Sequence, residues 1–475
     1  MPQPPMPDPT NPDPADPDPA DPDPADPDAA ARTALRLIGP DPPSWVADRL
    51  GIDHNVLIVG GGQSGCAFVF ALRRAGIGKV GVIDMAADET RAGVWLNAAR
   101  MTVLRTPKTL PGPEFGIAGL SFQAWHEARH GEAAYAAMVR IPREDWARYL
   151  GWYRHFLGIA VRYRTRLVRI EPADGHFRLH LDIAGNAAIE TARKVILANG
   201  VAGNGGAYVP PAISDALPRR LYAHTADPID FAALRGKRVA VVGGAASAFD
   251  AAGAALEAGA ANVDLFARRP ALAAVPVARV RGYPGAYDNY PELPDRVRWL
   301  QALRFRRAGS TAPADAIERV MRFANFRLHL AAPWFSAREE AGRIAARTPA
   351  GEFRCDFAIA GTGYFVDPAL RPELADFAAE ILLWRDRHTP SPGEDDDYLG
   401  AHPYLGVAHE YLEKTPGRAP YLRDIHVQNP AGFVSFGVPI GDVPSMKRGL
   451  PAVVSRISRD LFLADLAAHE RRITA

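Results

Sequence analysis

The sequence predicts an α/β fold of two doubly wound modules, the second inserted into the first. Three observations carry that prediction. Two glycine-rich turns, Gly60-Gly-Gly62-Gln-Ser-Gly65 and Gly243-Gly-Ala245-Ala-Ser-Ala248, each follow a short apolar run and open a helix-like pattern. The runs before them, 55–59 and 238–242, read as strands buried in a parallel sheet. Two later runs, 194–198 and 357–360, end in Asn199-Gly200 and Gly361-Thr-Gly363, small residues suited to a chain crossing between modules. Strand, glycine turn and helix in that order mark a dinucleotide-binding, Rossmann-like module, and the order occurs twice.

The 475 residues, 48% hydrophobic and 23% charged, suffice for two or three domains with a sizeable core. A net charge of +1 gives no reason to expect a nucleic-acid partner or an anionic membrane surface. Cys66 and Cys355 lie far apart and form no CxxC pair or zinc-type spacing, which favours a reducing, cytoplasmic setting. Glycines and prolines break the longest uncharged stretches, such as 195–214, so no transmembrane helix is expected. The N-terminus lacks the basic start and apolar centre of a secretory signal.

Residues 1–29 form a Pro/Asp repeat tail, expected to be extended and disordered because proline removes backbone donors and little is apolar. A short helix is expected within 30–50. The first module spans 50–225. It starts with strand 55–59, helix 66–75 and strand 79–84, and continues with helix 144–156 and strands 160–169, 177–183 and 194–198. The second spans 226–350, with strand 238–242, an alanine-rich helix over 245–258, strand 263–266 and an irregular segment over 270–345. Residues 351–475 return to the first module through strands 357–360 and 433–436 and an amphipathic helix over 450–469.

The first turn places Gly60, Gly61, Gly62, Gln63, Ser64 and Gly65 where a backbone cradles a pyrophosphate at a helix N-terminus. Asp84 ends the next strand at the spacing from which a carboxylate holds a ribose hydroxyl. The second turn, with Gly243, Gly244, Ala245 and Ser247, is degenerate, since alanine replaces two glycines. No acid ends its next strand. Arg268 and Arg269 stand there instead, either to neutralise a 2′-phosphate, favouring NADPH over NADH, or as solvated surface arginines. Gly200, Gly361 and Gly363 are placed close to a cofactor. His126-Glu-Ala-Arg-His130 matches the HExxH zinc signature, but no third ligand stands nearby and no metal is expected. Tyr283, Tyr287, Asp288, Asn289 and Tyr290 either line a substrate entrance or form a surface loop.

Together with these turns, Gly93-Val-Trp95, Leu104-Arg-Thr-Pro-Lys108, His224, Gly361-Thr-Gly-Tyr364 and Gly441-Asp442 resemble class B-type flavin-dependent monooxygenases. The nearest group holds FAD-dependent urate hydroxylase, aspartate N-monooxygenase and the amine N-hydroxylases. The resemblance implies FAD on the first turn, NADPH (or NADH) on the second, and Trp95, Gly441 and Asp442 near the flavin. It also implies that one oxygen atom of O2 enters a small polar substrate through a C4a-hydroperoxyflavin, with the cofactor carrying the chemistry. The substrate is either a urate-like heterocycle or an amino acid or primary amine. Relatives carry Asn three residues before the lysine equivalent to Lys108, where this chain has Arg105. Arg105 and Lys108 are therefore the catalytic candidates, Arg105 holding a peroxide or a substrate anion. The competing reading makes Arg105 structural, paired with the cofactor or an acidic neighbour. Two other functions stay open: a flavin-dependent reductase passing electrons without oxygenation, and a nucleotide-binding protein with a damaged second site.

Overall fold

A computed structural model describes residues 26–273 and 283–474. Most of the Pro/Asp repeat expected to be disordered, and Arg279 and Arg281 of the arginine-rich segment, lie outside the described residues. The helix expected within 30–50 begins earlier, at Pro27–Leu37, because Asp26 caps it by accepting the N–H of Asp28. The chain divides into two compact units. Residues 26–40 and 116–139 form a small helical one, with helices Pro27–Leu37, Phe122–His130 and Glu132–Ala137. Residues 41–115 and 140–474 carry both large sheets.

The first sheet runs Val80–Ile83, His54–Val59, Asn186–Leu197, His176–Ile183, Thr165–Ala173. Val56 pairs in parallel with Val80 on one side and Lys194 on the other. Asn186–Leu197 is long because its two halves have different partners. Residues 186–192 pair antiparallel with His176–Ile183, while Val195, Ile196 and Leu197 pair in parallel with Ile425–Val427. Exposure follows that division: the strand is solvated at its start and buried over its last six residues.

The second sheet is wholly parallel, in the order Phe326–His329, Asn262–Phe266, Arg238–Val242, Phe357–Ala360, Tyr222–His224. Phe249, Ala251, Ala252 and Ala255 of helix Ala246–Glu257 pack on Val239, Val241, Val263 and Leu265. Small side chains let this helix approach the sheet closely. Gly205–Ala207 and Tyr364–Val366, the links out of and back into the first module, pair antiparallel with each other.

Several expectations need correction. Phe357–Ala360 and Tyr222–His224 belong to the second sheet, so the second module reaches past 350 and begins before 226. The described part of the segment 270–345 is not irregular. It holds helices Asp295–Ala308 and Ala314–Met321 and the edge strand Phe326–His329, whose short, charge-interrupted pattern hides its period. The strand expected over 160–169 is Thr165–Ala173. Phe433–Phe436 is helical, and the last strand is Ile425–Val427. Four residues, three of them apolar, carry no period, and left-handed Gly437 (φ 73°) closes them as a helical turn. The C-terminal helix starts at Val443 rather than 450, and a further helix, Leu466–Thr474, follows it.

Candidate active site

The first glycine turn joins strand His54–Val59 to helix Gln63–Arg74, and its glycines meet different demands. Gly60 has φ 111°, and a Cβ there would stand 2.3 Å from the Ala198 carbonyl oxygen. A Cβ on Gly65 would stand 1.9 Å from the Gly60 oxygen, and one on Gly61 2.5 Å from Val161 Cγ1. Above Gly62 the nearest atom is Gly93 Cα at 3.6 Å, which leaves a backbone-lined cradle. Gly62 caps the helix without a side-chain bond, and the first turn carries no acid, so its N–H groups and positive dipole end are uncompensated. Asp84 Oδ2 accepts the Gly61 N–H at 2.7 Å and Oδ1 the Ala86 N–H at 2.7 Å. Each oxygen keeps a lone pair for a ribose hydroxyl. The residues present fit a dinucleotide diphosphate.

Helix Arg143–Phe156 and the Gly441-Asp442 turn enclose this cradle. Gln63 donates to the Gly441 carbonyl (3.0 Å) and accepts from Trp146 Nε1 (3.2 Å). Trp95 and Gly93 line the pocket beside Gly62, and the Trp95 ring meets Trp146 edge-on at 6.4 Å. The buried Arg154 lines the same pocket and donates to Glu89 at 2.6 Å. Trp146 and Arg154 were not among the predicted site residues. Their spacing with Leu150 is the available signal, since i, i+4 and i+8 share one helix face. Ser64 is buried in the first helical turn. Gly441 (φ 96°) donates to Ser445 Oγ at 3.0 Å, and Asp442 caps helix Val443–Ala464 by accepting the Ser445 N–H at 2.9 Å. Burial raises the Asp442 carboxyl to about 6. Cys66 lies under the turn, its thiol pushed up to about 12 by burial, which makes it inert.

The second turn solves the same packing problem differently. Gly243 has φ 146°, and a Cβ would meet the Gly361 oxygen at 2.2 Å. Ala248 takes the third glycine's place because Gly361 lacks a side chain opposite it: a Cβ on Gly361 would stand 2.7 Å from Ala248 Cβ. Ala245 caps helix Ala246–Glu257 in extended backbone (φ −113°), where alanine is unstrained. Gly244 has Ala267 Cβ within 3.1 Å of its missing side chain, and Ser247 is exposed in the first turn.

The arginine pair separates. Arg268 is exposed. Arg269 donates to the carbonyls of Arg307 (2.7 Å), Ala308 (2.9 Å) and Arg306 (3.3 Å). Its guanidinium caps the C-terminus of helix Asp295–Ala308, so of the pair only Arg268 is left for a 2′-phosphate.

Gly200 (φ 76°) and Gly363 (φ 88°) lie in the links between the modules. Beside Gly200 runs a network that sequence reasoning missed. Asn429 Nδ2 donates to Asn199 (2.9 Å), Asn204 Nδ2 to Asn429 (3.1 Å) and Tyr411 OH to Asn204 (2.5 Å). Members more than 200 residues apart leave no local signal. His224 is buried with its ring 5.2 Å from that of Tyr364, and burial lowers its pKa.

Arg105 reaches the second module. Its Nη2 donates to both oxygens of Asp250, at 2.9 and 2.8 Å, on the helix opened by the second turn. Burial raises the Asp250 carboxyl, and the Arg105 charge opposes the rise. Lys108, three residues on, is partly buried. In the HExxH segment the His126 and His130 rings lie 4.6 Å apart and tilted by 48°, while Glu127 accepts from Gln123 on helix Phe122–His130. Of the aromatic cluster, Tyr290 is buried and donates to the Arg298 carbonyl, and Asp288 pairs with Arg448 of helix Val443–Ala464. Tyr283 is exposed.

The pyridine nucleotide-disulphide oxidoreductase family matches residues 57–283. An FAD-dependent urate hydroxylase of Xanthomonas campestris is 41% identical over 429 residues, covering 89% of this chain and 90% of that protein. The chain belongs to the FAD-dependent urate hydroxylase family. Solved structures of similar fold lie further off in sequence. The ornithine hydroxylase of Pseudomonas aeruginosa is 16% identical with TM-score 0.65, over 86% of this chain and 99% of that one. The cadaverine monooxygenase of Erwinia amylovora, solved with FAD, is 14% identical with TM-score 0.64, over 85% and 94%. Family and fold together make this urate hydroxylase relative a flavin-dependent monooxygenase of the two-dinucleotide-module class. Among the described residues no helix is long and apolar enough to cross a membrane.

Proposed function

We propose that this protein binds FAD on the first turn and NADPH on the second, and inserts one oxygen atom of O2 into a small polar substrate. The observation that carries the reading is the first cradle: an open, glycine-lined helix N-terminus with Asp84 at the ribose position and Gln63 tied to Gly441. Bound FAD supplies the redox chemistry, passing two electrons from NADPH to O2. The overall balance is NADPH, a proton, O2 and substrate giving NADP⁺, water and oxygenated substrate.

The chain's own residues orient and enclose. The Gln63, Ser64 and Gly65 amides face the diphosphate, Asp84 takes the ribose, and Asp442 and Ser445 fix the turn beside the flavin. Trp95 and Trp146 exclude water from the cradle. Arg268 neutralises the 2′-phosphate of NADPH. Arg105, with Lys108, holds a negatively charged oxygen of the substrate. The 41% identity favours urate or a similar heterocycle over an amino acid or primary amine. Two buried, unpaired cysteines fit a cytoplasmic setting.

The test is oxygen consumption by the purified protein with NADPH and, in turn, urate, L-aspartate, L-ornithine, L-lysine and cadaverine. The expected result is a substrate-stimulated rate with little peroxide released. NADPH oxidation that no substrate accelerates, with all oxygen recovered as peroxide, contradicts the proposal.

A further inference from the structure

Asp250 is the only charged residue on helix Ala246–Glu257 before Glu257 at its end, and its side chain is 7% exposed. A buried carboxylate on an alanine-rich, sheet-packed helix is destabilising unless paired. Its partner comes from the other module, 145 residues away in sequence. The pairing is one-sided. Both carboxylate oxygens accept from a single nitrogen, Nη2 of Arg105. Among the described residues Nη1 meets only the Met101 sulfur at 3.9 Å, a weak acceptor. The buried Nε–H faces no acceptor among the described residues. A quarter of the Arg105 side chain is exposed, but Nε is not part of that surface.

Neighbouring contacts hold this geometry. Arg100 donates to the carbonyls of Thr225 (2.5 Å) and Asp227 (2.9 Å). Arg319 of helix Ala314–Met321 donates to the Arg100 carbonyl at 2.7 Å and pairs with Glu257. Besides Arg105, the charges of Arg100, Arg319 and Asp315 act on Asp250. The Arg100 to Arg105 stretch of the first module is thus stitched to the second at several points.

We propose that Asp250 is a positioning residue: by occupying Nη2 alone, it turns the Nη1–H groups of Arg105 toward an anionic oxygen of the substrate. The inference rests on the monooxygenase reading above. It makes the substrate site a joint product of both modules, with an acid from the NADPH module aiming an arginine of the FAD module.

The experiment uses the full-length, flavin-loaded protein as wild type, Arg105→Ala, Asp250→Asn, Asp250→Glu and the double variant Arg105→Ala/Asp250→Asn. Urate and L-aspartate are the anionic probes, and cadaverine is the probe without an anionic oxygen. Binding is read from the perturbation of flavin absorbance, with KM and kcat separated in steady state. For whichever anionic probe the wild type accepts, Asp250→Asn raises Kd and KM about 10-fold, as for loss of one charge-assisted hydrogen bond. Asp250→Glu recovers most of this, and the double variant is no worse than Arg105→Ala alone. Wild-type Kd and KM in Asp250→Asn overturn the inference, as does a full Asp250→Asn effect persisting without Arg105. If Asp250→Asn fails to fold, Arg105→Ala/Asp250→Ala removes both charges together. A raised Kd there supports the proposal and a wild-type Kd overturns it. A wild type that binds and oxidises none of the three probes sinks the monooxygenase reading itself, which separates that failure from one confined to the variants.

Discussion

The two glycine turns occupy equivalent places in their sheets yet are built to different tolerances. In the first, Gly60, Gly61 and Gly65 all face backbone or side-chain atoms within 2.5 Å of where a Cβ would stand, and Gly62 opens onto bare Gly93 backbone. In the second, Ala245 and Ala248 stand where glycines would, and the close approach is supplied from across the sheet by Gly361. Both capping residues, Gly62 and Ala245, have extended backbone, so conformation does not separate the turns; free space does. A cradle stripped to backbone suits a cofactor held through many turnovers. A cradle narrowed by a methyl suits one that enters and leaves.

The comparison can be broken by substitution, and the largest effect belongs to Gly65. Gly65→Ala drives a methyl into the Gly60 carbonyl and should weaken FAD binding about 10- to 100-fold, the cost of overpacking a site that cannot relax. Flavin content after dialysis measures it, and full retention would show that the first turn is as tolerant as the second.

The arginines behind the second turn come next. Arg268→Ala should raise the KM for NADPH roughly 10-fold and leave that for NADH alone, since it loses one charge-assisted phosphate contact. Arg269→Ala should leave both KM values unchanged and lower stability by about 1 kcal/mol through the lost helix cap. A coenzyme effect from Arg269 would return that residue to the site.

Acid sensitivity contrasts the modules as a whole. His402 and His409 are held down to about 4, and His426 to about 3, by complete burial in the segment that returns to the first module. Their folded pKa values lie below the unfolded value near 6.5. The stability they carry is therefore complete above about pH 6.5 and is lost as pH falls toward 4, because the unfolded chain takes up the protons first. The slope is at most about 1.4 kcal/mol per site and pH unit. In the second sheet burial lowers His224 as well, though no value as low as 4 is reached there, and His329 is paired with Asp264. Thermal melts should show flavin release preceding collapse of the second sheet as pH falls; a pH-independent melting temperature from 7 to 4.5 contradicts this.

The smallest effect is expected at Ala245. Glycine there should change stability by less than about 0.5 kcal/mol, because the backbone is already extended and cap preferences of this kind are small.

Legibility in the sequence followed the reach of the interactions. The turns and their strands were readable because glycine, apolar run and helix lie within a dozen residues of one another. Phe357–Ala360 was readable as a strand but not as a member of the second sheet, since its partners are set by the crossover and not by its own residues. Asp84 was readable from spacing alone. The Arg269 helix cap, the Asn199–Asn429–Asn204–Tyr411 network and the Arg105–Asp250 pair join residues 37 to 230 apart, and no local pattern announces them. Of the two roles left open for Arg105, the acidic neighbour exists, and it leaves Nη1–H for the substrate role.

The most direct test of two cofactors on two turns is an anaerobic titration of the purified protein with NADPH, followed at the flavin absorption band. One equivalent of NADPH per bound flavin should bleach the band completely, and Gly243→Ala should retain the colour but resist bleaching. A colourless protein that flavin cannot reconstitute, or a coloured one that NADPH leaves unbleached, contradicts the account.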